Sequence, residues 1–466
     1  MTLDISLKNL GILKQAKFTL GDLTIICGKN NTGKTYATYA LFGFLWGWKN
    51  FLSVEIPYQM TEALFRDGVC RIDVASYARN SAKLLEQGCQ FYTEQLPRIL
   101  ASKASYFKDT FFQVSVGPVS PPAMAKGTLQ RRIRFGEDDL LSLSKAEDDE
   151  EIVITLLMGE TSSSPPAHII QEILSAHIIE LLFERFFPHP FIASAERTGA
   201  AIFRKELNFA RNRLLEEMSR TDKNIDPMEL LFKSYQDYPL PVKVNVDFIR
   251  NLEDVSKEDS FLVKDHPRIM NDFADIIGGE YVAGSDDTIY FRPSRQRLKL
   301  TMDESSSAAR SLLDIGFFLR HVAAPGQILM VDEPELNLHP ENQRRVARLL
   351  ARLVNVGIKV FITTHSDYII RELNTLIMLN HDRPHLQRIA LDGGYEATEL
   401  ISSDQVKVYM AQEGLMPLEK DQKRRRRGHM LVPADVDPQL GIEASSFDKT
   451  IDHMNNILED IVWGAE

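Results

Sequence analysis

Apolar positions alternate with polar ones at the start of the chain (Leu3, Ile5 and Leu7, then Ile12, Phe18 and Leu20), and Gly11 stands between the two sets. This pattern predicts a β-hairpin. A short apolar run rich in β-branched residues, Leu23–Cys27, then predicts a buried strand, followed at once by a glycine-bearing loop and a helix-like segment from Tyr36 to Trp46. Helical spacing continues from Gln59 to Lys108 through Leu64, Ile72, Ala75, Leu84 and Leu85. Arg131–Phe135 and Ile152–Ile154 read as strands, Thr161–Pro166 as a linker, and Ala167–Phe187 as an apolar helix. Pro188 and Pro190 break the chain before a short strand, Phe191–Ala193, and a long helical segment, Ala200–Arg220. Strand signals return at Glu280–Val282 and Ile289–Phe291. Two further buried strands follow, Gly326–Val331 and Lys359–Thr364, and Phe447, Ile451, Met454, Ile457 and Ile461 mark an amphipathic helix near the end. There is no internal repeat.

Composition narrows the class. The chain has 466 residues, 44% of them hydrophobic and 26% charged, which suits a soluble globular protein with room for inserted domains. No apolar run is long enough to span a bilayer, and the start of the chain has no basic and apolar leader, so no membrane association and a cytoplasmic location are expected. Cys27, Cys70 and Cys89 are scattered without metal-ligand spacing and read as buried thiols. The net charge of −11 does not advertise nucleic-acid binding. Two charge runs stand out locally. Glu147–Glu151 reads as a solvated loop tip, and Lys423–Arg427 either grips phosphates or an acidic partner or is itself a solvated loop.

The chemistry is concentrated at the ends of the apolar strands. Gly28-Lys29-Asn30-Asn31-Thr32-Gly33-Lys34-Thr35 fits G-x-x-x-x-G-K-[ST], a loop whose backbone N–H groups wrap phosphates. Its glycines let the backbone come close, Lys34 would reach the β and γ oxygens, and Thr35 would hold Mg2+. This pattern implies a nucleoside triphosphate site. The second strand ends in Asp332-Glu333-Pro334, where Asp332 can hold Mg2+ and Glu333 can polarise a water for attack on the γ-phosphate. An acidic N-cap for the helix near Pro340 is the alternative for that pair. The third strand delivers His365, placed where a γ-phosphate sensor would be useful.

With these residues assembled, the chain resembles the ABC-type ATPases of the SMC-like and OLD-like branch. Gly28–Thr35 stands at Walker A and Ile328–Glu333 at Walker B with the catalytic glutamate. Glu335–Pro340 (E-L-x-L-H-P) stands at the D-loop, and Thr363–Ser366 at the switch histidine. Ser305, Ser306 and Ser307 occupy the place of the signature, without its usual glycine pair. No Q-loop glutamine is evident. Ser194–Arg197 stands in the corresponding stretch of OLD-like proteins, and an N-cap or a surface ion pair describes Glu196 and Arg197 equally well.

The resemblance implies an α/β fold: a P-loop ABC-type ATPase head, with a mixed sheet flanked by helices and an inserted, mostly helical domain or arm. The implied organisation is an N-terminal lobe over 1–55, an insert over 56–187, a C-terminal lobe over 188–204 and 283–400, a helical arm over 205–282 and a tail over 401–466 with a basic loop and the amphipathic helix. It also implies ATP, which the motifs alone do not distinguish from GTP, together with Mg2+. Head-to-tail homo-oligomers are implied as well, in which Ser305–Ser307 of one copy cover the nucleotide of another.

The C-terminal half is most similar to ATPase subunits of PARIS-type bacterial anti-phage systems, with Septu-type ATPases next. That similarity implies a phage-protein trigger and a separate effector, suspected to be a TOPRIM-type nuclease, because no carboxylate cluster backed by strands follows His365. An SMC-like DNA-repair ATPase would favour long heptads and a zinc hook, and neither is present. A transporter head would hold its two Walker motifs closer together, and a non-catalytic scaffold would not need Glu333 and His365.

Overall fold

The apolar runs become strands. In chain order they are β1 (Leu3–Leu10), β2 (Leu13–Leu20), β3 (Leu23–Gly28), β4 (Val69–Asp73), β5 (Phe111–Val116), β6 (Leu129–Phe135), β7 (Asp138–Lys145) and β8 (Glu151–Leu156). They continue with β9 (Pro190–Ala193), β10 (Gly279–Ala283), β11 (Ile289–Pro293), β12 (Leu300–Thr301), β13 (Ile328–Asp332), β14 (Lys359–Thr364), β15 (Val406–Leu418) and β16 (Asp421–Ala434). The computed structural model describes residues 2–117, 123, 126–135, 138–157, 166–204, 238–284, 288–418, 421–442 and 456–457. It divides into a smaller unit (Met1–Ser6, Phe44–Gln95, Phe111–Pro188) and a larger one (Leu7–Gly43, Leu96–Thr110, His189–Glu466).

The larger unit is built on a mixed sheet with strand order β2-β16-β15-β3-β14-β13-β9. Strands β15, β3, β14, β13 and β9 are mutually parallel. β16 runs antiparallel to β15 and parallel to β2. Parallel strands are covered on both faces, so they need continuous apolar runs rather than alternation. β3 and β13 meet that demand with every residue buried.

Helix Pro340–Asn355 belongs to the same core through Val346, Ala347, Leu350 and Val354. Its start is set by Pro340 in the first turn and by the His339 ring, which accepts from the Glu341 N–H at 3.3 Å. All three cysteines are buried thiols. Burial pushes the Cys27 thiol up to about 12 and the Cys89 thiol to about 11, so neither is a ready nucleophile.

The smaller unit holds an antiparallel sheet, order β4-β8-β7-β6, together with helices Tyr58–Asp67, Ser81–Ile99 and Ala167–Phe183. The acidic run at Glu147–Glu151 lies mostly in the exposed turn between β7 and β8. At its core the Phe44 ring meets Tyr92 at 5.5 Å and Phe112 and Phe187 at 5.4 Å. Truncating a buried aromatic removes both its transfer free energy and its packing. Phe44→Ala is therefore expected to destabilise this unit by about 3–5 kcal/mol. Thermal or urea unfolding checks this, and a loss below about 1 kcal/mol would show that the cluster does not hold the unit together.

Two expectations are corrected locally. The stretch read as helical from Gln59 to Lys108 is interrupted by β4, where Cys70 and Ile72 are buried between outward Val69 and Arg71 and pair with β8. Ile72 fits a helical spacing and a strand alternation alike, and the pairing decides for the strand. The run Lys423–Arg427, expected in a tail loop, lies in β16 opposite β15. Its charge hides the strand, which the pairing with β15 reveals. Much of the helical arm (205–237), most of the linker and most of the C-terminal amphipathic segment (443–455, 458–466) lie outside the described residues. Among the described residues no helix is long and apolar enough to cross a membrane.

Candidate functional site

Three adjacent parallel strands deliver the candidate residues to one end of the sheet in the larger unit. β14 lies between β3, which leads into Gly28–Thr35, and β13, which leads into Asp332 and Glu333. The side chains then converge. The Thr35 hydroxyl donates to Asp332 Oδ2 at 3.3 Å, and Thr363 from β14 donates to Asp332 Oδ1.

The Gly28–Thr35 loop is shaped by backbone that few residues tolerate. Gly28 has φ +138° and Gly33 has φ +96°. A Cβ built on Gly28 would lie 2.4 Å from the Ala411 carbonyl oxygen of β15. Gly28→Ala must therefore push β15 away or distort the loop. We expect it to weaken nucleotide binding by roughly tenfold or more. A titration with a fluorescent nucleotide checks this, and unchanged affinity would mean that the loop adapts without consequence.

Lys34 is buried and its Nζ donates to the carbonyls of Gly28 and Lys29, both at 2.9 Å. Burial lowers its pKa, and the nearby carboxylates of Glu333, Asp332 and Glu335 oppose that shift. Asp332 is shifted up by burial, against the stabilising Thr363 hydrogen bond. The carboxylates of Asp332, Glu333 and Glu335 thus share two buried cations, Lys34 and Arg197. A divalent cation held by Thr35 and Asp332 would offset the remaining excess of negative charge.

The donor set fits Mg2+. That ion takes few protein ligands and completes its shell with phosphate oxygens and water.

Glu333 sits at φ +54°, left-handed for a residue with a Cβ. Its N–H donates to the Thr363 carbonyl at 3.0 Å. His365 Nδ1 lies 3.5 Å from Glu333 Oε1 and 3.3 Å from Glu335 Oε1. Glu335 is buried, and its Oε1 accepts from the Thr364 hydroxyl at 2.9 Å and the His365 N–H at 2.8 Å. Glu335 thus fixes the His365 backbone, a role its place in the E-L-x-L-H-P stretch did not disclose.

The three serines differ. Ser305 is buried and its hydroxyl donates to the Met302 carbonyl at 2.7 Å. Ser306 caps helix Ser307–Ser311 by accepting from Ala309 N–H at 3.2 Å, and Ser306 and Ser307 are exposed.

The structure gives Glu196 and Arg197 contacts other than a side-chain N-cap or a surface ion pair. Glu196 precedes helix Arg197–Ile202 but makes no side-chain cap, and its Oε2 accepts from the Tyr39 hydroxyl at 3.2 Å. Arg197 is fully buried. Its Nε donates to Ser311 O at 2.7 Å, Nη1 to Ser194 O at 2.9 Å and Asp332 O at 2.6 Å, and Nη2 to Glu333 O at 2.7 Å. Behind it, fully buried Asp314 accepts from Asn245 Nδ2 at 2.7 Å, and Asn245 Oδ1 accepts from the Ser194 hydroxyl at 3.1 Å.

Comparison with known proteins adds the following. The chain is similar to the SMC head bound to the C-winged helix domain of ScpA, at 12% identity and a TM-score of 0.32 over 92% of this chain and 97% of that one. An SMC head with an extended coiled coil bound to a ScpA domain from Pyrococcus furiosus gives 12% and 0.32 over 98% and 100%. The SMC head domain from Thermotoga maritima gives 10% and 0.28 over 94% and 100%. No curated protein matches the chain significantly. Residues 145–370 match the AAA ATPase domain family, a stretch that contains Ser305–Ser307, Asp332, Glu333 and His365 and lies beyond the phosphate loop in sequence.

Proposed function

We propose that this protein binds and hydrolyses ATP with Mg2+. The observation that carries this reading is the convergence of Lys34, Thr35, Asp332, Glu333 and His365 at one end of the parallel strands, supported by the match of residues 145–370 to an AAA ATPase domain. The Gly28–Thr35 loop would wrap the phosphates, with Lys34 exchanging its loop carbonyls for phosphate oxygens. Thr35 and Asp332 would hold Mg2+, which supplies charge neutralisation at the β and γ oxygens. Glu333 would orient and deprotonate the attacking water, and His365, held by Glu335, would sense the γ-phosphate.

Ser306 and Ser307, exposed at the start of their helix, would cover the nucleotide of another copy, giving head-to-tail association. Ser305 would support that turn from inside. In this reading the ATPase sits in the cytoplasm, answers a trigger such as a phage protein, and controls a separate effector, a TOPRIM-type nuclease, in anti-phage defence. That assignment rests on the resemblance of the motifs between Ile328 and Ser366 to those of PARIS-type ATPase subunits.

Native mass spectrometry of Glu333→Gln protein, purified from its host with neighbouring genes intact, with and without ATP, tests the assembly. Multi-subunit particles containing a second protein are expected. A bare ATP-dependent dimer that copurifies with DNA would favour the SMC-like repair reading instead.

A further inference from the structure

We propose that Arg197 is a positioning residue that transmits the state of the Ser307–Ser311 helix to Glu333 through main-chain carbonyls. This rests on the ATP-hydrolysis reading above and adds to it a physical link between the helix expected to meet a neighbouring nucleotide and the group expected to act on the protein's own.

The link is one planar group. The Arg197 guanidinium donates to four carbonyls from three segments: Ser194 after β9, Ser311 on the helix, and Asp332 and Glu333 at the end of β13. A guanidinium presents its donors in a rigid fork, so the carbonyls it binds cannot shift independently. Ser311 adds to the coupling, because its hydroxyl lies 3.1 Å from the Leu336 carbonyl, three residues beyond Glu333, as well as 3.1 Å from the Ala308 carbonyl of its own helix.

The receiving end is a strained residue. A left-handed Glu333 persists only where its surroundings hold it. Both ends of Glu333 are clamped, its N–H by the Thr363 carbonyl and its own carbonyl by Arg197. When the Ser307–Ser311 helix moves, the fork must follow Ser311 or release it, and either change reaches the Asp332 and Glu333 carbonyls. Nearby buried Asp314 supplies countercharge, and Asn245 ties Asp314 to Ser194. A purely structural brace could be apolar at similar volume, because a buried cation is costly unless its hydrogen bonds are needed.

The test measures phosphate release and the Kd of a fluorescent ATP analogue on the full chain. Arg197→Lys keeps the charge but loses the fork, and is expected to lower kcat about 100-fold with Kd within about threefold. Arg197→Met removes the charge as well as the fork and leaves buried Asp314 without its countercharge, so it should lose at least as much kcat as Lys and also lower the unfolding temperature. Added to Glu333→Gln, Arg197→Lys should slow the residual rate less than about twofold, because both changes disable the same group. Should Arg197→Lys not fold, the same split is read on Asn245→Ala, which leaves Arg197 intact and is expected to lower kcat about tenfold at unchanged Kd.

An active wild type with kcat preserved in Arg197→Lys, a loss carried equally by Kd, or a multiplicative effect in the double variant overturns the inference alone. A wild type that binds ATP and releases no phosphate overturns the hydrolysis reading and this inference with it.

Discussion

Lys34→Ala is expected to abolish ATP binding at millimolar nucleotide. The ammonium already sits inside the loop, with its charge held by the carbonyls of Gly28 and Lys29. In the proposed reading, nucleotide would replace those neutral acceptors with phosphate oxygens, and hydrogen bonds to ionised acceptors are roughly twice as strong as neutral ones. Losing the cation costs about 3 kcal/mol or more of binding, a factor of at least ~100. A second effect adds to it. Asp332, Glu333 and Glu335 all lie close enough to raise the Lys34 pKa, so removing the ammonium leaves their negative field facing the incoming phosphates.

A titration with a fluorescent ATP analogue measures the change, and Lys34→Arg separates charge from shape. Arg keeps the charge but its planar fork does not fit a pocket where two carbonyls receive one Nζ, so it should recover only part of the affinity. An Ala variant that still binds within threefold of wild type would remove the phosphate-loop assignment. Thermal unfolding distinguishes lost binding from lost fold.

The parts of the site that were legible in the sequence are those whose chemistry is local. Gly28–Thr35 is contiguous, and Asp332, Glu333 and His365 each stand at the end of a strand whose apolar run, Ile328–Val331 or Val360–Ile362, announces burial on both faces. What escaped is chemistry spread across segments. Arg197 speaks to main-chain carbonyls, which leave no residue-type signature, so its partners Ser194, Ser311, Asp332 and Glu333 could not be inferred from spacing. Asp314 did leave a trace, an acid set between Leu312, Leu313 and Ile315, which are all buried. An isolated acid inside an apolar run calls for a buried donor and an opposite charge, and Asn245 supplies the first and Arg197 the second.

The placement of β15 and β16 was hidden for a different reason. The P-loop strand from the beginning of the chain is sandwiched between β14 and β15, so the sheet is completed by residues far away in sequence. The arginine-rich wording of β16 reads as solvent until its pairing with β15 is known.

Glu333→Gln should halt turnover while leaving ATP bound. The amide matches the carboxylate in shape, so the left-handed backbone at φ +54° and its hydrogen bonds to Thr363 and Arg197 can persist. Only the proton-accepting oxygen is lost, and a positioned general base contributes about 10²–10⁴-fold to a rate. We expect a fall of roughly 10³-fold in phosphate release. Affinity should hold or tighten, since one of the carboxylates facing the phosphates becomes neutral. The contrast with Lys34→Ala is the informative part: one variant loses the ligand, the other traps it.

His365→Ala provides an internal control on where the effect resides. The ring lies beside both Glu333 and Glu335, and its own backbone N–H is held by Glu335. Removing the ring should slow hydrolysis less than removing the base, because the water can still be activated although the γ-phosphate is no longer sensed. Phosphate release and nucleotide retained on a desalted sample together read the outcome. If Glu333→Gln releases phosphate at the wild-type rate, the base lies elsewhere. Glu335, whose buried Oε2 has no hydrogen-bond partner among the described residues, is then the carboxylate to replace next.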